Sequence, residues 1–132
     1  MKLSSKARYG LKVMCFLAEH IGEGAMPLSV ISNAVESSDK YIEQIIMALR
    51  KSDLVKATRG VLGGYYIENP DEISVGAILR TLEDGLVIAD CLAEGNECPN
   101  KAKCHTHDVW DKLYQEINNF LDTMTLTSII KK

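Results

Sequence analysis

The sequence predicts a mainly α-helical fold that carries one small β-hairpin and ends on a long helix. Three patterns lead there. A short helical repeat, a three-residue turn and a longer helical repeat occupy positions 29–52. Two strand-like runs then flank the glycine-rich segment Arg59-Gly-Val-Leu-Gly-Gly64. Further on, apolar residues recur at steps of three and four from Trp110 to Met124.

The chain has 132 residues, 46% of them hydrophobic, enough for one compact domain or a small domain plus an assembly helix. No apolar run approaches the ~20 residues of a membrane span, so no membrane insertion is expected. The opening Met1-Lys-Leu-Ser-Ser-Lys-Ala-Arg8 has neither the apolar core nor the small-residue cleavage site of a secretory signal, which points to the cytoplasm. There is no nucleophile–base motif and no phosphate-binding glycine loop at a strand-to-helix turn, so no enzymatic activity is expected. The net charge of −3 alone argues against a polyanionic partner. Its distribution argues the other way. Residues 1–66 carry nine Lys/Arg against six Asp/Glu, or +3, and residues 67–132 carry six against twelve, or −6. A basic front and an acidic back suggest a polyanion-facing unit at 1–68 and a unit with another task at 69–132.

The first helix is expected over about Ser5 to His20, with Ala7, Leu11, Met14, Leu17, Ala18 and Ile21 as its apolar face and Gly22 and Gly24 ending it. Lys2, Lys6, Arg8 and Lys12 crowd its start, where the helix dipole favours anions. They invite an external phosphate, unless they form only a solvated basic face. Cys15 reads as a small core residue. Pro27-Leu28 leads into a short helix, Ser29 to about Ala34, with Ser29 or Leu28 at its start, and Val35-Glu36-Ser37 makes a tight turn. The next helix spans about Ser38 to Ser52, capped by Ser37 or Ser38, with Ile42, Ile45, Ile46 and Leu49 inward. This order is the helix-turn-helix pattern.

Leu54 to Thr58 and Tyr65 to Ile67 then read as two strands around a glycine hairpin, which makes the unit a winged helix. Its glycines serve the turn or let the backbone approach phosphates, and Arg59 at the tip could enter a minor groove. Ser74 caps a fourth helix through about Glu83, with Val75, Ile78, Leu79 and Leu82 inward. The last long helix, about Thr106 to Met124, presents Trp110, Leu113, Ile117, Phe120 and Met124 as a coiled-coil-like seam over two heptads. A core helix would show much the same, but a winged helix this small leaves little core for it to cover. A homodimer partner is therefore expected, and Thr125 or Thr127 caps a last turn through Ile130.

Between residues 88 and 107 lies a cysteine loop. Cys91, Cys98 and Cys104, three of the four cysteines, precede His107 in the spacing C-x6-C-x5-C-x2-H. Gly95, Asn96, Pro99 and Asn100 are turn formers, so the first two cysteines belong on a loop. Cys104 and His107, three apart where a helical pattern begins, would share a helix face. Three thiolates and an imidazole form a soft donor set suited to an iron–sulfur cluster or to zinc, with disulfides or unbound thiols as the remaining alternatives. No close C-x2-C pair is present.

Five segments carry a resemblance: Ser4-Ser-Lys-Ala-Arg-Tyr-Gly-Leu11, Tyr41-Ile-Glu-Gln-Ile45, Leu54-Val-Lys56, Arg59-Gly-Val-Leu-Gly-Gly-Tyr65 and Lys103-Cys-His-Thr-His-Asp-Val-Trp110. Together they resemble the IscR/NsrR/CymR-type winged-helix transcriptional regulators, and the last resembles the iron–sulfur branch in particular. The resemblance spans nearly the whole chain. It implies a dimeric bacterial transcription factor, an activator or a repressor, whose three cysteines hold an iron–sulfur cluster. In IscR-like members a histidine three after the last cysteine completes a 2Fe–2S site, which maps onto His107, with His105 as second choice; a 4Fe–4S cluster is the alternative. IscR-like chains usually have five residues between the first two cysteines, and this one has six. NsrR-like nitric-oxide sensors can borrow an acidic ligand from the partner's first helix, where this chain has Arg8, which cannot ligate. A zinc-stapled DNA-binding protein and a partner-binding, metal-free regulator are the other readings.

The expected partner is a palindromic double-stranded DNA site, with one recognition helix of the dimer in each major groove. Tyr41 and Gln44 are placed to reach base edges, Gln44 suits adenine, and Glu43 suits cytosine. Ser38 stands at the start of that helix. Lys2, Arg8, Lys40 and Arg50 are expected on phosphates, which orient the protein without specifying sequence.

Overall fold

The computed structural model describes residues 2–83, 85–93 and 99–131. Among them the order is α1 (Ser5–Glu19), α2 (Leu28–Ala34), α3 (Asp39–Lys51), β1 (Lys56–Thr58), β2 (Gly64–Tyr66), α4 (Val75–Leu82), α5 (His107–Thr123) and α6 (Leu126–Ile130). Short 3-10 turns stand at Pro70–Glu72, Asp90–Leu92 and Lys101–Lys103. The fold is mainly helical with a small antiparallel wing, as the sequence predicts.

Ser4 caps α1, its hydroxyl accepting the Ala7 N–H at 3.1 Å. The buried face is Ala7, Gly10, Val13, Met14, Leu17 and Ala18. The expected members Leu11 and Ile21 are half-buried and 46% exposed, respectively. Gly10 and Val13 replace them because α1 packs between α3 and α4 on one side and α6 on another. At Gly10 the helices approach so closely that a Cβ would land on the Leu82 Cδ1 methyl.

Pro27 stands at the N-cap of α2. Its φ of −61° already suits a helix entry, and of the two expected starts, Leu28 and Ser29, the helix takes Leu28. The turn to α3 places Glu36 at φ 57°. Ser32, 1% exposed, holds the two helices together: its hydroxyl bonds to the Asp39 carboxylate and to the Ser29 carbonyl. Ser38 caps α3 by accepting the Tyr41 N–H at 3.2 Å. The expected inward set Ile42, Ile45, Ile46 and Leu49 is fully buried.

Strands β1 and β2 pair Lys56 with Tyr66, Ala57 with Tyr65 and Thr58 with Gly64. Both are shorter than the sequence suggests, because Val55 and Ile67 leave the ladder to anchor the hairpin base in the core. Met26 adds a bridge to the outer edge, exchanging two 2.8 Å hydrogen bonds with Tyr65. That passage requires Gly64, at φ 155°, since a Cβ there would strike the Met26 carbonyl.

Ser74 caps α4, whose Val75, Ile78, Leu79 and Leu82 are buried as expected. The chain end then returns to the core. Val75 N–H donates to Met124 O at 2.8 Å, and Leu126 N–H to Ile73 O at 3.0 Å. Thr125 rather than Thr127 caps the last helix, in a reciprocal box with Ser128. Leu126 is fully buried, so the first and last helices of the chain share one hydrophobic cluster.

Candidate DNA interface and cysteine loop

With its inward stripe buried, α3 turns Lys40, Glu43, Gln44 and Met47 to solvent at helical spacing. Tyr41 is different. It is half-buried, with its ring edge-on to Tyr9 at 5.8 Å between centroids and 81° between planes. Lys12 Nζ lies 5.0 Å from the same Tyr9 ring. The Ser38 hydroxyl accepts a backbone N–H yet keeps its own proton to donate outward. Lys2, Lys6, Arg8 and Lys12 lie on or beside α1; Lys2 and Lys6 are exposed, and Arg8 reaches back to the Ser5 hydroxyl at 3.3 Å.

In the wing, Arg59 is exposed but does not form the tip as expected. It leaves β1 directly, and the outermost residues are Val61, 102% exposed, and Leu62, 89% exposed. The turn is closed by Gly63 N–H donating to Gly60 O at 2.9 Å. Arg50 of α3 and Arg59 line one cleft of about 430 Å³ beside the hairpin. Sequence reasoning overlooked Met47, Val61 and Leu62. The signal for the last two was available: two large aliphatic residues occupy a turn where polar residues and glycine normally sit.

The cysteine loop runs between α4 and α5. Cys91 is half-buried in the Asp90–Leu92 turn, Cys104 is exposed directly after the Lys101–Lys103 turn, and both thiols are free. The predicted shared helix face for Cys104 and His107 does not form. Helix α5 begins at His107 with Thr106 as N-cap, so Cys104 lies ahead of the helix. There its Sγ is 3.3 Å from Thr106 Oγ1. Hydrogen bonds from the Thr106 side chain, the Thr106 backbone and the His107 backbone hold its thiol below the usual cysteine range. The ring nitrogen Nδ1 of His107 is buried and, among the described residues, has no hydrogen-bond partner. Cys98 lies outside the described residues. Among the described residues, no three His, Cys, Asp or Glu side chains gather closely enough to hold a metal. The donor chemistry nonetheless suits a soft metal group, because a buried unpaired imidazole nitrogen is costly unless a ligand takes it up.

Helix α5 is tied to the body through Arg80. Arg80 of α4 donates to Asp122 Oδ1 at 2.7 Å and to Asn118 Oδ1 at 2.7 Å. None of its described residues is buried, and Val109, Trp110, Leu113 and Phe120 are 54%, 40%, 45% and 62% exposed. No helix among the described residues is long and apolar enough to cross a membrane.

The Rrf2 family, described as an iron-dependent transcriptional regulator, matches residues 3–132. The HTH-type transcriptional regulator IscR of Aliivibrio salmonicida is 38% identical over 132 residues, covering 98% of this chain and 77% of that protein. Among solved structures, CymR, the global cysteine regulator of B. subtilis, has a TM-score of 0.81 at 35% identity, over 98% of this chain and 96% of that one. IscR of T. potens has a TM-score of 0.76 at 37% identity, over 99% and 87%. The chain therefore belongs to the Rrf2 family of DNA-binding transcriptional regulators, and is not an enzyme.

Proposed function

We propose that the protein is a cytoplasmic homodimeric regulator that reads a palindromic promoter site and senses iron–sulfur or redox status through a cluster, most simply 2Fe–2S. The observation that carries this reading is the His107 Nδ1 atom, buried in the first residue of α5 and without a partner among the described residues. It joins the cysteine loop to the helix whose apolar side is uncovered. Cys91, Cys98, Cys104 and His107 would hold the cluster. Bound there, it would supply a tie that forms or breaks with the redox state or iron–sulfur supply of the cell. The low thiol of Cys104 favours the thiolate that ligation needs.

The chain's own residues convert that tie into a DNA signal. With Cys91 and Cys104 held to His107, the loop fixes the start of α5. Arg80 then passes the position of α5 to α4 through Asn118 and Asp122. Helix α4 packs on α1 and α3, so the distance between the two α3 helices of a dimer follows the loop. On DNA, Gln44 pairs with adenine and Glu43 with cytosine in the major groove, while Tyr41 reaches from the flank. Lys2, Arg8, Ser38 and Lys40 hold phosphates. Arg59 enters the minor groove beside the wing. Its replacement by Ala should weaken specific binding by roughly 1–3 kcal/mol, measured by titration of labelled duplex. An unchanged curve would retire that contact.

The decisive experiment is anaerobic purification with iron, acid-labile sulfide and zinc analysis and a visible spectrum. Wild-type protein should be coloured, with iron and sulfide in equal amounts. The variants Cys98→Ala, Cys104→Ala and His107→Ala should lose most of both. Colourless protein carrying zinc and no labile sulfide would replace the sensor by a zinc-stapled regulator. If Cys98→Ala keeps a full complement of iron and sulfide, the ligand set is wrong.

A further inference from the structure

The tip of the wing is the most solvent-exposed apolar feature among the described residues, with Val61 and Leu62 102% and 89% exposed. Nothing in the fold calls for aliphatic side chains there. Gly60, at φ 109°, makes the bend, and Gly63 closes it through a 2.9 Å bond to Gly60 O. A Cβ at Gly63 would strike the Thr58 carbonyl, so the turn is tight and well determined. Below it the hairpin is stiffened from both sides. Tyr65 is bonded to Met26 in both directions, and Val55 and Ile67, 2% and 3% exposed, fix the base in the core. Two aliphatic side chains on the end of a rigid arm, left in water, are unfavourable unless a partner covers them.

The surroundings say which partner. Arg59 stands two residues before Val61 and lines one cleft with Arg50, and among the described residues no carboxylate lines that cleft. A cationic cleft beside an aliphatic point matches the minor-groove edge of a duplex, where phosphates flank a gap between base steps. Apolar wedges of this kind separate a pair of stacked bases and bend the duplex toward the major groove.

We propose that Val61 and Leu62 form an aliphatic wedge that enters the minor groove of the bound site and kinks it at one base step. This rests on the DNA-reading function above, with Arg59 as the phosphate and groove-floor contact that aims the wedge. The kink supplies a selectivity that α3 does not: pyrimidine–purine steps, which unstack readily, are preferred at the wing position although no hydrogen bond reads them.

The test begins with selection of a duplex from a random-sequence pool by the full-length protein. Its end-to-end bend is then measured by fluorescence energy transfer, and unstacking by 2-aminopurine placed at the wing step. Wild-type protein should bend the site by roughly 20–90°, with a rise in 2-aminopurine emission. The doubly substituted V61S/L62S protein should lose most of the bend and the emission change, and bind about tenfold or more weakly. L62M should retain both, which separates apolar insertion from mere presence of the loop. Because both positions are fully exposed, thermal melts of the variants should match wild type. A V61S/L62S protein that binds and bends the site as wild type does overturns the wedge and leaves the tip to a protein partner. A wild-type protein that enriches no sequence overturns the DNA-reading function itself, and the wedge with it.

Discussion

Placing glutamate at both Leu113 and Phe120 should convert the proposed homodimer to a monomer and weaken operator binding by at least about 100-fold. The two residues lie on the uncovered side of α5, 45% and 62% exposed, away from the face that Arg80 ties down. Covering a Leu or Phe side chain contributes roughly 1.5–3 kcal/mol, and a two-fold interface counts each side chain twice. Losing that contribution while bringing like carboxylates together exceeds what the remaining contacts of one short seam can offset. The DNA effect follows because a palindrome is held by two linked reading heads, whose coupling is worth on the order of 10²–10⁴ in affinity. Light scattering after gel filtration reads the mass, and duplex titration reads the affinity. The fold should survive, since none of the described α5 residues is buried in the protomer. A double variant that still runs as a dimer would place the two-fold contact elsewhere.

Gly10→Leu should be the most damaging single substitution in α1. The glycine lies where α1 crosses α4, and even a methyl group there would meet Leu82 Cδ1, with Ile45 Cγ2 3.4 Å away. Glycine in mid-helix is itself unfavourable by roughly 1 kcal/mol relative to alanine, so the packing at this crossing outweighs helix propensity. A leucine must either push α4 outward or turn Leu82 out of its rotamer, at a cost of about 3 kcal/mol or more. For a protein of this size each kcal/mol shifts the melting temperature by roughly 4 °C, so the loss should be plain in a thermal melt. Because α4 carries Arg80 and thus α5, the same variant should also disturb the proposed dimer. Unchanged melting would mean that the α1–α4 contact yields more easily than its geometry implies.

The helix-turn-helix was legible because its signals are local. Ser38 capping a helix, Ile42, Ile45, Ile46 and Leu49 on one stripe, and a glycine hairpin after it are all properties of neighbouring residues. The α1 face was harder to read. Val13, Met14, Cys15, Phe16, Leu17 and Ala18 are consecutive and all apolar, so periodicity leaves the rotation of the helix about its axis poorly defined. Gly10 carries no signal of its own until α4 is laid across it. The cysteine loop was legible as chemistry, from residue types and spacing, but not as geometry. Where a helix starts depends on its cap, and here the cap is Thr106, which leaves Cys104 outside the helix.

The sequence alone determined the order of the helices, the wing and the apolar seam of α5, and it marked Cys91, Cys98, Cys104 and His107 as the candidate donor set of the proposed sensor. These rest on interactions within a few residues along the chain. Only the tertiary structure decided that Tyr41 leans on Tyr9, that Leu126 closes the core against α1, that His107 Nδ1 is buried without a partner among the described residues, and that Val61 and Leu62 form the wing tip. Each of these depends on which surface meets which, and a one-dimensional pattern of apolar and polar residues specifies faces without specifying their neighbours.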